Sequence, residues 1–385
     1  MLIKQESVSL KAALKNLPSV SPLPTANLVL VFGSVKKFNE GKLQSFLKSR
    51  YPTAQIVGCT TSGEIGPDGV SDDSIQITAI LWEKTQQRVT FTKMSGMESS
   101  FDAAVGLAKQ LKADSLRTVL VISDGLNVNG SELLKGFQSI LGDVPIVGGL
   151  AGDGGAFVKT LQIYNDTISD KMVIAVGLYG SSLITSSGAL GGWKPYGPPR
   201  TVTKSVKNVV FEMDGKPALP LYRMYIGEAF SRGLPSTGLK FPLVVIDEEK
   251  CQVKIRTLLA IDSKNNSLTF AGNLEEGETV RLCQTNHEKL VEGAGHAANL
   301  VIEGLGASKT NQTGLAMLVS CVGRKGVMAE AVGDEVKLVQ TILGPQTSVT
   351  GFYSYGELAP RPNTNDSVLH NQTMTIAYLS ENLLA

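Results

Sequence analysis

The residues of this chain that could do chemistry are concentrated near its end. Tyr355 and Glu357 lie in a run with two glycines, and His370 and Asn371 precede the last apolar run. Arg324 follows an earlier apolar run. The planar guanidinium of an arginine binds a carboxylate through two parallel hydrogen bonds, and a glutamate can pair with an ammonium group. The set therefore predicts a binding site for a small polar or charged molecule.

Glycine-rich runs of the same kind occur twice more. The run Gly-Cys-Thr-Thr-Ser-Gly-Glu contains Thr60, Thr61 and Glu64, and the run Gly-Gly-Leu-Ala-Gly-Asp-Gly contains Asp153. Glycine permits a positive φ or a close approach of the backbone to a ligand. In the other reading, the glycines only form tight turns and the acids cap neighbouring N–H groups. Each run predicts a carboxylate on a loop at the end of a strand, with Glu357 as the third.

Cys321 could support a different chemistry. It could act as an activated thiolate with His370 as its base, or it could be a small buried cysteine at a strand end. The chain has no Gly-x-Ser-x-Gly elbow, no Gly-x-x-x-x-Gly-Lys-Ser/Thr phosphate loop and no His-Glu-x-x-His pair. We therefore expect a binding protein rather than an enzyme, with a cysteine-dependent enzyme as the less favoured class.

The elements that must position these residues repeat three times. Apolar runs at residues 28–32, 118–122 and 315–319 are each followed by a helical pattern, a short apolar run, one of the glycine-rich runs and a further apolar run. Such self-similarity predicts an internal duplication. We expect a mixed α/β fold in two halves, whose sheets combine parallel and antiparallel strands and are covered by helices.

Between the second and third repeats lies a stretch of another kind. Residues 186–200 are rich in glycine and proline and contain Trp193, which predicts a polar junction. An antiparallel set of strands is expected between about residues 243 and 282. The long helix expected at about residues 286–304 contains a Gly-x-Gly-x-x-Ala string. The helical pattern begins before this string, whereas a dinucleotide-binding fingerprint directly follows a strand. We therefore do not expect a dinucleotide site.

Composition excludes several classes of partner. The 36 basic and 35 acidic residues give a net charge of +1, so no electrostatic field attracts nucleic acid or anionic lipid. The start lacks the apolar core of a signal peptide, and no run of about 18 apolar residues occurs, so we expect a cytoplasmic protein without membrane insertion. Four cysteines without a Cys-x-x-Cys pair disfavour a metal site.

The motifs together resemble those of the FIST family. The run Gly-Phe-Tyr-Ser-Tyr-Gly-Glu-Leu-Ala-Pro from residue 351, and His370-Asn371-Gln372-Thr373 after it, resemble the motifs that close the family's sensory domains. Cys321 and Arg324 match its Cys-x-x-Arg signature, and the other two glycine-rich runs resemble motifs of its first half. The sequence pattern predicts a lead at residues 1–25, amphipathic over residues 7–17, and a domain boundary near residue 214. With the resemblance, these bounds imply a FIST N-like domain at 26–213 and a FIST C-like domain at 214–385.

The resemblance also implies a function. Members of the family are cytoplasmic sensory modules that bind a small ligand, amino acids being the usual suggestion, and report to a signalling protein. Because no output domain fits in the remaining residues, the partner would be encoded separately, as a histidine kinase or a cyclic-dinucleotide enzyme. Some members are implicated in haem-based nitric oxide sensing, and His370 or His296 would then hold the haem.

These observations combine into one expected pocket. Arg324, Tyr355, Glu357 and His370 should line it, because the loops that carry them open at one edge of a sheet. In the other reading, Arg324 and Glu357 form an ion pair that leaves no room for a ligand. We also expect the ligand to lie where the two halves meet, so that its binding could close one half over the other.

Overall fold

Three repeats of one unit build most of the molecule in a computed structural model, which describes residues 1–8, 21–247, 252–306 and 313–382. Each unit has an opening strand, two parallel strands joined by a helical segment, a hairpin and a closing antiparallel strand. The mixed α/β fold is confirmed, and the strands predicted at residues 28–32, 118–122 and 315–319 occupy equivalent positions in their sheets.

The first unit begins within the predicted lead. Its elements are β1 (Leu2–Val8), β2 (Leu28–Gly33), α1 (Val35–Phe38), α2 (Leu43–Arg50), β3 (Gln55–Thr60), β4 (Glu64–Gly66), β5 (Gly69–Ser71) and β6 (Ile75–Leu81). Within this lead, β1 pairs with β6 along its whole length. The amphipathic part of the lead beyond Val8 lies outside the described residues.

The second unit covers one face of its sheet with two helices of 12 residues each. Its elements are β7 (Gln86–Lys93), α3 (Ser100–Leu111), β8 (Leu116–Ser123), α4 (Gly130–Leu141), β9 (Ile146–Leu150), β10 (Gln162–Tyr164), β11 (Thr167–Ser169) and β12 (Met172–Tyr179). The side chain of Asn129 caps α4 by accepting hydrogen bonds from the N–H groups of Ser131 and Glu132.

The third unit is interrupted by an additional sheet. After β13 (Leu183–Leu190) the chain forms β14 (Lys194–Val206), β15 (Val209–Met213), β16 (Lys216–Pro217), α5 (Ala218–Ile226), α6 (Glu228–Ser231), β17 (Leu243–Asp247), β18 (Gln252–Arg256), β19 (Leu258–Asp262), β20 (Ser267–Phe270) and β21 (Thr279–Gln284). We call this the inserted sheet. Residues 186–200, predicted to be a junction, are mostly strand, because β13 and β14 run through them, and residues 191–193 connect the sheet of the third unit to the inserted sheet. The division near residue 214 stays a prediction, and β15 and β16 on its two sides pair with each other.

The third unit then resumes. Its remaining elements are α7 (His287–Leu305), β22 (Gly314–Cys321), α8 (Val322–Met328), α9 (Gly333–Leu343), β23 (Thr347–Ser354), β24 (Gly356–Pro360), β25 (Ser367–His370) and β26 (Met374–Glu381). In the part of the chain that the structure describes, no helix is long and apolar enough to cross a membrane.

The units exchange their hairpins in a ring. The hairpin β10–β11 of the second unit pairs with β3 of the first, β24–β25 of the third pairs with β9 of the second, and β4–β5 of the first pairs with β23 of the third. Three six-stranded sheets of identical order result: β1-β6-β2-β3-β10-β11, β7-β12-β8-β9-β24-β25 and β13-β26-β22-β23-β4-β5. The glycine-rich runs were predicted to be loops at strand ends. Those of the first and third units are instead mostly strand and carry the chain from one sheet to the next, whereas the run of the second unit leaves its strand after Leu150.

The first glycine of each run has the same physical role. A Cβ there would lie 1.8 Å from the carbonyl oxygen of Val31 at Gly58, 1.9 Å from that of Val121 at Gly148, and 1.8 Å from that of Leu318 at Gly351. Only glycine lets the neighbouring parallel strand approach so closely. This repeated contact supports the duplication more strongly than the sequence spacing does.

Alternating side chains of the first strands divide the core into layers. Leu30 and Phe32 of β2 face a central cluster to which all three sheets contribute, whereas Val29 and Val31 face an outer cluster beneath α2. The same alternation occurs in β8, with α3 and α4 outside, and in β22, with α7 and α9 outside. The rings of Phe32 and of Phe352 from β23 meet at the centre, 4.7 Å apart.

Candidate functional site

Glu64 and Glu357, two of the predicted acids, occupy equivalent buried positions where the chain crosses from one sheet to the next. We call each of these positions a corner. Glu64 is the first residue of β4 and accepts hydrogen bonds from the Thr61 hydroxyl at 2.5 Å and from the N–H and hydroxyl of Ser74, at 3.0 and 2.8 Å. Glu357 accepts from the Ser354 hydroxyl at 2.7 Å and from the N–H of Thr373 at 3.3 Å. In both corners, the N–H donor directly precedes the closing strand of the unit.

The middle unit fills its corner differently. Gln162, not Asp153, takes the position of Glu64 and Glu357, and its side-chain oxygen accepts a hydrogen bond from the N–H of Met172 at 3.0 Å. The acid of this corner is Asp124, at the end of β8, which accepts from the Thr160 hydroxyl at 2.9 Å. The alignment of Asp153 with the two glutamates is therefore wrong, because the second unit has eight additional residues between Gly148 and Gln162.

Burial raises the pKa of both corner glutamates. Glu64 is 1% exposed and its pKa is raised to about 6, although the hydrogen bonds from Thr61 and Ser74 oppose the shift. Glu357 is fully buried, and its pKa is raised to about 8 against the hydrogen bond from Ser354. The hydroxyl of Thr60 is also occupied, because it accepts from the N–H of Leu161 at 3.0 Å. These contacts favour the reading in which the acids satisfy nearby backbone groups.

Cys321 lies in the third corner beside Glu357. Burial raises the pKa of its thiol, and the neighbouring Glu357 carboxylate raises it further. The thiol is therefore held protonated, and it forms a hydrogen bond with Glu357. A protonated buried thiol suits a packed cysteine better than a nucleophile.

Arg324 is buried in a network of its own. Its Nη2 lies 2.5 Å and its Nε 3.1 Å from the same carboxylate oxygen of Glu335, and Nη2 also donates to the Leu290 carbonyl at 2.8 Å. Its Nη1 donates to the carbonyls of Gly191 and Gln372. The pocket predicted for Arg324, Tyr355, Glu357 and His370 is not formed, because the guanidinium is enclosed by these acceptors. The predicted alternative, an Arg324–Glu357 pair, named the wrong acid.

His370 and Asn371 are buried at the end of β25. The Nε2 of His370 lies 3.2 Å from the carbonyl oxygen of Ala359, and burial lowers the pKa of the imidazole to about 4, so the ring is neutral. Asn371 is 1% exposed, and its side-chain amide has no partner among the described residues. His370 therefore lies near the third corner but does not share a pocket with Arg324.

The histidines do not fit a haem. A haem iron needs a histidine nitrogen directed into a cavity for the macrocycle, whereas the Nε2 of His370 is bonded to the backbone and His296 lies on the exposed side of α7. Among the described residues, no group of three His, Cys, Asp or Glu side chains could hold a metal ion. The haem alternative stays a prediction, which an absorbance spectrum of haem-replete protein would test.

Asp153 of the second unit and Tyr355 of the third are also brought into direct contact by the fold. The Tyr355 hydroxyl donates to Asp153, whose carboxylate also accepts from the N–H groups of Phe157, Val158 and Lys159 at 2.8, 2.7 and 2.8 Å. These hydrogen bonds lower the pKa of Asp153 although burial opposes them. The Asp153 carboxylate therefore stabilises the conformation of its own loop, and its oxygens are not left available to a ligand.

A cavity of about 480 Å³ lies at the opposite end of the sheets, between the second and third units. Its walls include Thr185 and Ser187 of β13, and Ala377 and Leu379 of β26. Arg361, in the turn of the hairpin β24–β25, contributes a cation. The volume lies within the range of about 300–1,000 Å³ that is typical of small-molecule sites. None of the predicted site residues lines it.

The hairpin turn that forms one wall is peculiar to the third unit. Six residues, 361–366, connect β24 to β25, whereas two residues connect each of the other hairpins. The turn is held by the N–H of Arg361, which donates to the Asp366 carbonyl at 2.9 Å, and by the Arg361–Asp366 ion pair at 3.3 Å. The run Arg-Pro-Asn-Thr-Asn-Asp, rich in turn-forming residues and directly after the predicted motif, could have revealed it.

Comparison with known proteins gives one family match that spans most of the chain. A model of the FIST N domain matches residues 27–216, and a model of the FIST C domain matches residues 218–360. An uncharacterized protein of Methanocaldococcus jannaschii is 25% identical over 78% of this chain, and the chain spans 61% of that protein's length. An uncharacterized protein of Mycobacterium tuberculosis is 25% identical over 67% of each chain.

Solved structures of other proteins show a weaker likeness. The crystal structure of cyanuric acid hydrolase from A. caulinodans is 8% identical with a TM-score of 0.39, over 99% of both chains. A chorismatase is 8% identical with a TM-score of 0.37, over 98% of both chains.

Proposed function

Because this chain belongs to the FIST family, whose domains sense small ligands in signal transduction, we propose that it is a receptor for a small metabolite with a carboxylate, such as an amino acid. The observation that carries the proposal is the 480 Å³ cavity with Arg361 in its wall. Arg324, the arginine expected from the motif, is fully buried among protein acceptors, whereas the side chain of Arg361 pairs with Asp366 but remains 25% exposed at the cavity. The ligand's anion is therefore assigned to Arg361.

The lining of the cavity suits the two ends of such a ligand. The planar guanidinium of Arg361 matches the geometry of a carboxylate. Thr185 and Ser187 add hydroxyl groups that can accept a hydrogen bond from an ammonium group. Val147, Ala377 and Leu379 form an apolar wall that would pack against a side chain. An amino acid combines these three chemical features.

The turn that carries Arg361 also gives a route for the signal. Gln138 of α4 donates to the Asp366 carboxylate at 3.0 Å and to the Ser367 carbonyl at 2.7 Å, so the turn is tied to the second unit. Arg256 of the inserted sheet donates to the Leu369 carbonyl of β25 at 3.0 Å. A ligand that prefers one position of the turn would thereby bias β25 and the inserted sheet. A separately encoded signalling protein, such as a histidine kinase or a cyclic-dinucleotide enzyme, would detect the change.

The test is a calorimetric titration with each of the twenty L-amino acids. Arg361→Ala should weaken the binding of any amino acid that binds the wild type by about tenfold or more, because about 1.4 kcal/mol of lost interaction gives a factor of ten. Arg232→Ala is the matched control, since that side chain is 77% exposed and pairs with Glu228 away from the cavity. Ser187→Leu, which places apolar volume in the cavity, should also abolish binding.

Two results would contradict the proposal. One is the absence of binding by all twenty amino acids to the folded wild type. The other is binding that Arg361→Ala and Ser187→Leu leave as tight as in Arg232→Ala. Melting temperatures of the variants, measured in parallel, separate a lost site from a lost fold.

A further inference from the structure

We propose a second binding site, for a small neutral aromatic compound such as a phenol, in the cleft between the second unit and the inserted sheet. The cleft is walled on one side by the loop after β8 and by Leu150, Phe157 and Tyr355, and on the other by Leu259 and Phe270. It is separate from the cavity that Arg361 lines, because the two share no lining residue. The proposal therefore does not depend on the amino-acid site.

The size and the lining of the cleft set the class of ligand. Its volume is about 110 Å³. An apolar cavity of about 150 Å³ holds benzene in another protein. This cleft is smaller but open, so one six-membered ring would extend partly into its open side. Leu126, Val128 and Leu150 contribute apolar side chains, and Tyr355 and Phe270 contribute aromatic ones. A flat ring would bury its faces against these groups.

Phe157 is the residue that points most directly to a ligand. Its ring is 44% exposed and stacks on Tyr355, with the centroids 4.2 Å apart and the planes 8° from parallel. Its φ of 56° lies in the left-handed region, which is rare for a bulky side chain and costs free energy. The hydrogen bonds from residues 157–159 to Asp153 maintain this conformation. The loop thus holds a half-exposed aromatic ring at the cleft in spite of that cost.

The charges around the cleft select a neutral ring. Among the described residues that line the cleft, none is lysine or arginine. Close behind the lining lie the carboxylates of Asp153, which accepts from Tyr355, and of Asp124, which accepts from the N–H of Leu126 at 2.8 Å. On the opposite wall the buried guanidinium of Arg256 lies beside Gly272 and donates to the carbonyls of Asn273 and Leu369. The two acids would repel an aromatic carboxylate on the wall formed by Tyr355 and Leu126. A phenol carries no charge at neutral pH, and its hydroxyl can reach solvent at the open side.

Apolar side chains continue to both rims of the cleft. Met97 is 41% exposed on the rim formed by the second unit, and Leu259 is 42% exposed on the rim formed by the inserted sheet. A ring bound between Met97 and Leu259 would contact the second unit and the inserted sheet at the same time. Its binding would therefore stabilise the present position of the inserted sheet against the second unit.

Phenol titrated into the full chain, followed by saturation-transfer NMR and calorimetry, tests the site, with cyclohexanol as the non-planar comparison. Phe157→Ala should weaken phenol binding about tenfold or more. Phe91→Ala is the matched control, because Phe91 is 41% exposed and pairs with Tyr164 at 4.6 Å but lines no part of the cleft. Leu259→Trp, which fills the cleft from the other wall, should abolish binding even if the loop of Phe157 rearranges.

Saturable phenol binding that is lost in Phe157→Ala and Leu259→Trp, and retained in Phe91→Ala and Arg361→Ala, supports the site. The proposal is overturned if phenol shows no saturable binding, or if the Phe157 and Phe91 variants bind it equally. Cyclohexanol binding as tightly as phenol would overturn the assignment to a planar ring.

Discussion

The corner of the middle unit and the corner of the third unit solve one structural problem with different side chains. Both must satisfy a backbone N–H at the start of a closing strand, at Met172 and at Thr373. The middle unit uses the neutral Gln162 and has Ala151 where the third has the hydroxyl of Ser354, and its acid, Asp124, is at the end of the first strand. The third unit uses Glu357. A neutral amide is thus sufficient for the fold, so the two raised-pKa glutamates add a pH dependence that the fold does not need.

The side chains beside the two corners also differ in charge. Three residues after Cys321, the third unit has Arg324, which is buried against Glu335. The middle unit has Asn127 at the corresponding place, and its side chain donates to Asp124 at 3.2 Å. The third unit therefore depends on a buried ion pair where the middle unit depends on a short polar contact.

The largest expected effect comes from removing the buried cation of the third unit. Arg324→Ala should lower the free energy of unfolding by about 3–5 kcal/mol, because it leaves Glu335 buried without its cation. Asn127→Ala should cost about 1 kcal/mol, the contribution of an ordinary hydrogen bond. The midpoint of urea unfolding measures both. Equal midpoints in the two variants would contradict the structural role given to Arg324 and would return that arginine to the list of ligand candidates.

A second experiment makes the third corner resemble the middle one. With a pKa of about 8 in the folded protein against 4.5 for the free side chain, Glu357 keeps its proton where the unfolded chain has lost it. Stability should therefore fall as the pH rises from about 4.5 to 8, by an amount on the order of a few kcal/mol. Glu357→Gln imitates the protonated carboxyl, so it should match the wild type at pH 4.5 and exceed it at pH 8.

Melting temperatures across this pH range provide the measurement, and Gln162→Asn is the control because no titrating group is changed. A Glu357→Gln variant whose pH profile runs parallel to that of the wild type would show that this carboxyl titrates normally in the folded protein.

The smallest expected effect is at the first corner. Glu64 has a folded pKa of about 6, so Glu64→Gln should gain stability relative to the wild type only between about pH 4.5 and 6, by about 2 kcal/mol. Above pH 6 the difference should stay constant. A difference that continued to grow up to pH 8 would mean that the two acid corners titrate alike, contrary to the burial and hydrogen bonding described above.

The sequence by itself determined the units of this fold. The apolar runs at residues 28–32, 118–122 and 315–319 became strands, and the helical pattern expected after the third run formed as α8 and α9, because periodicity and propensity are local properties of the chain. The resemblance to the FIST family, carried by short motifs, was likewise readable in the sequence and is confirmed by the family models.

Only the tertiary structure decided which residues meet. The hairpin exchange joins β4 to β23, Arg324 pairs with Glu335 rather than Glu357, and Arg361 rather than Arg324 lines the cavity. A motif shows that an arginine or a glutamate is present, but its availability depends on which acceptors the other units bring beside it. Those contacts join residues far apart in the chain, and the cost of burying an unpaired charge selects among them only when the sheets have assembled.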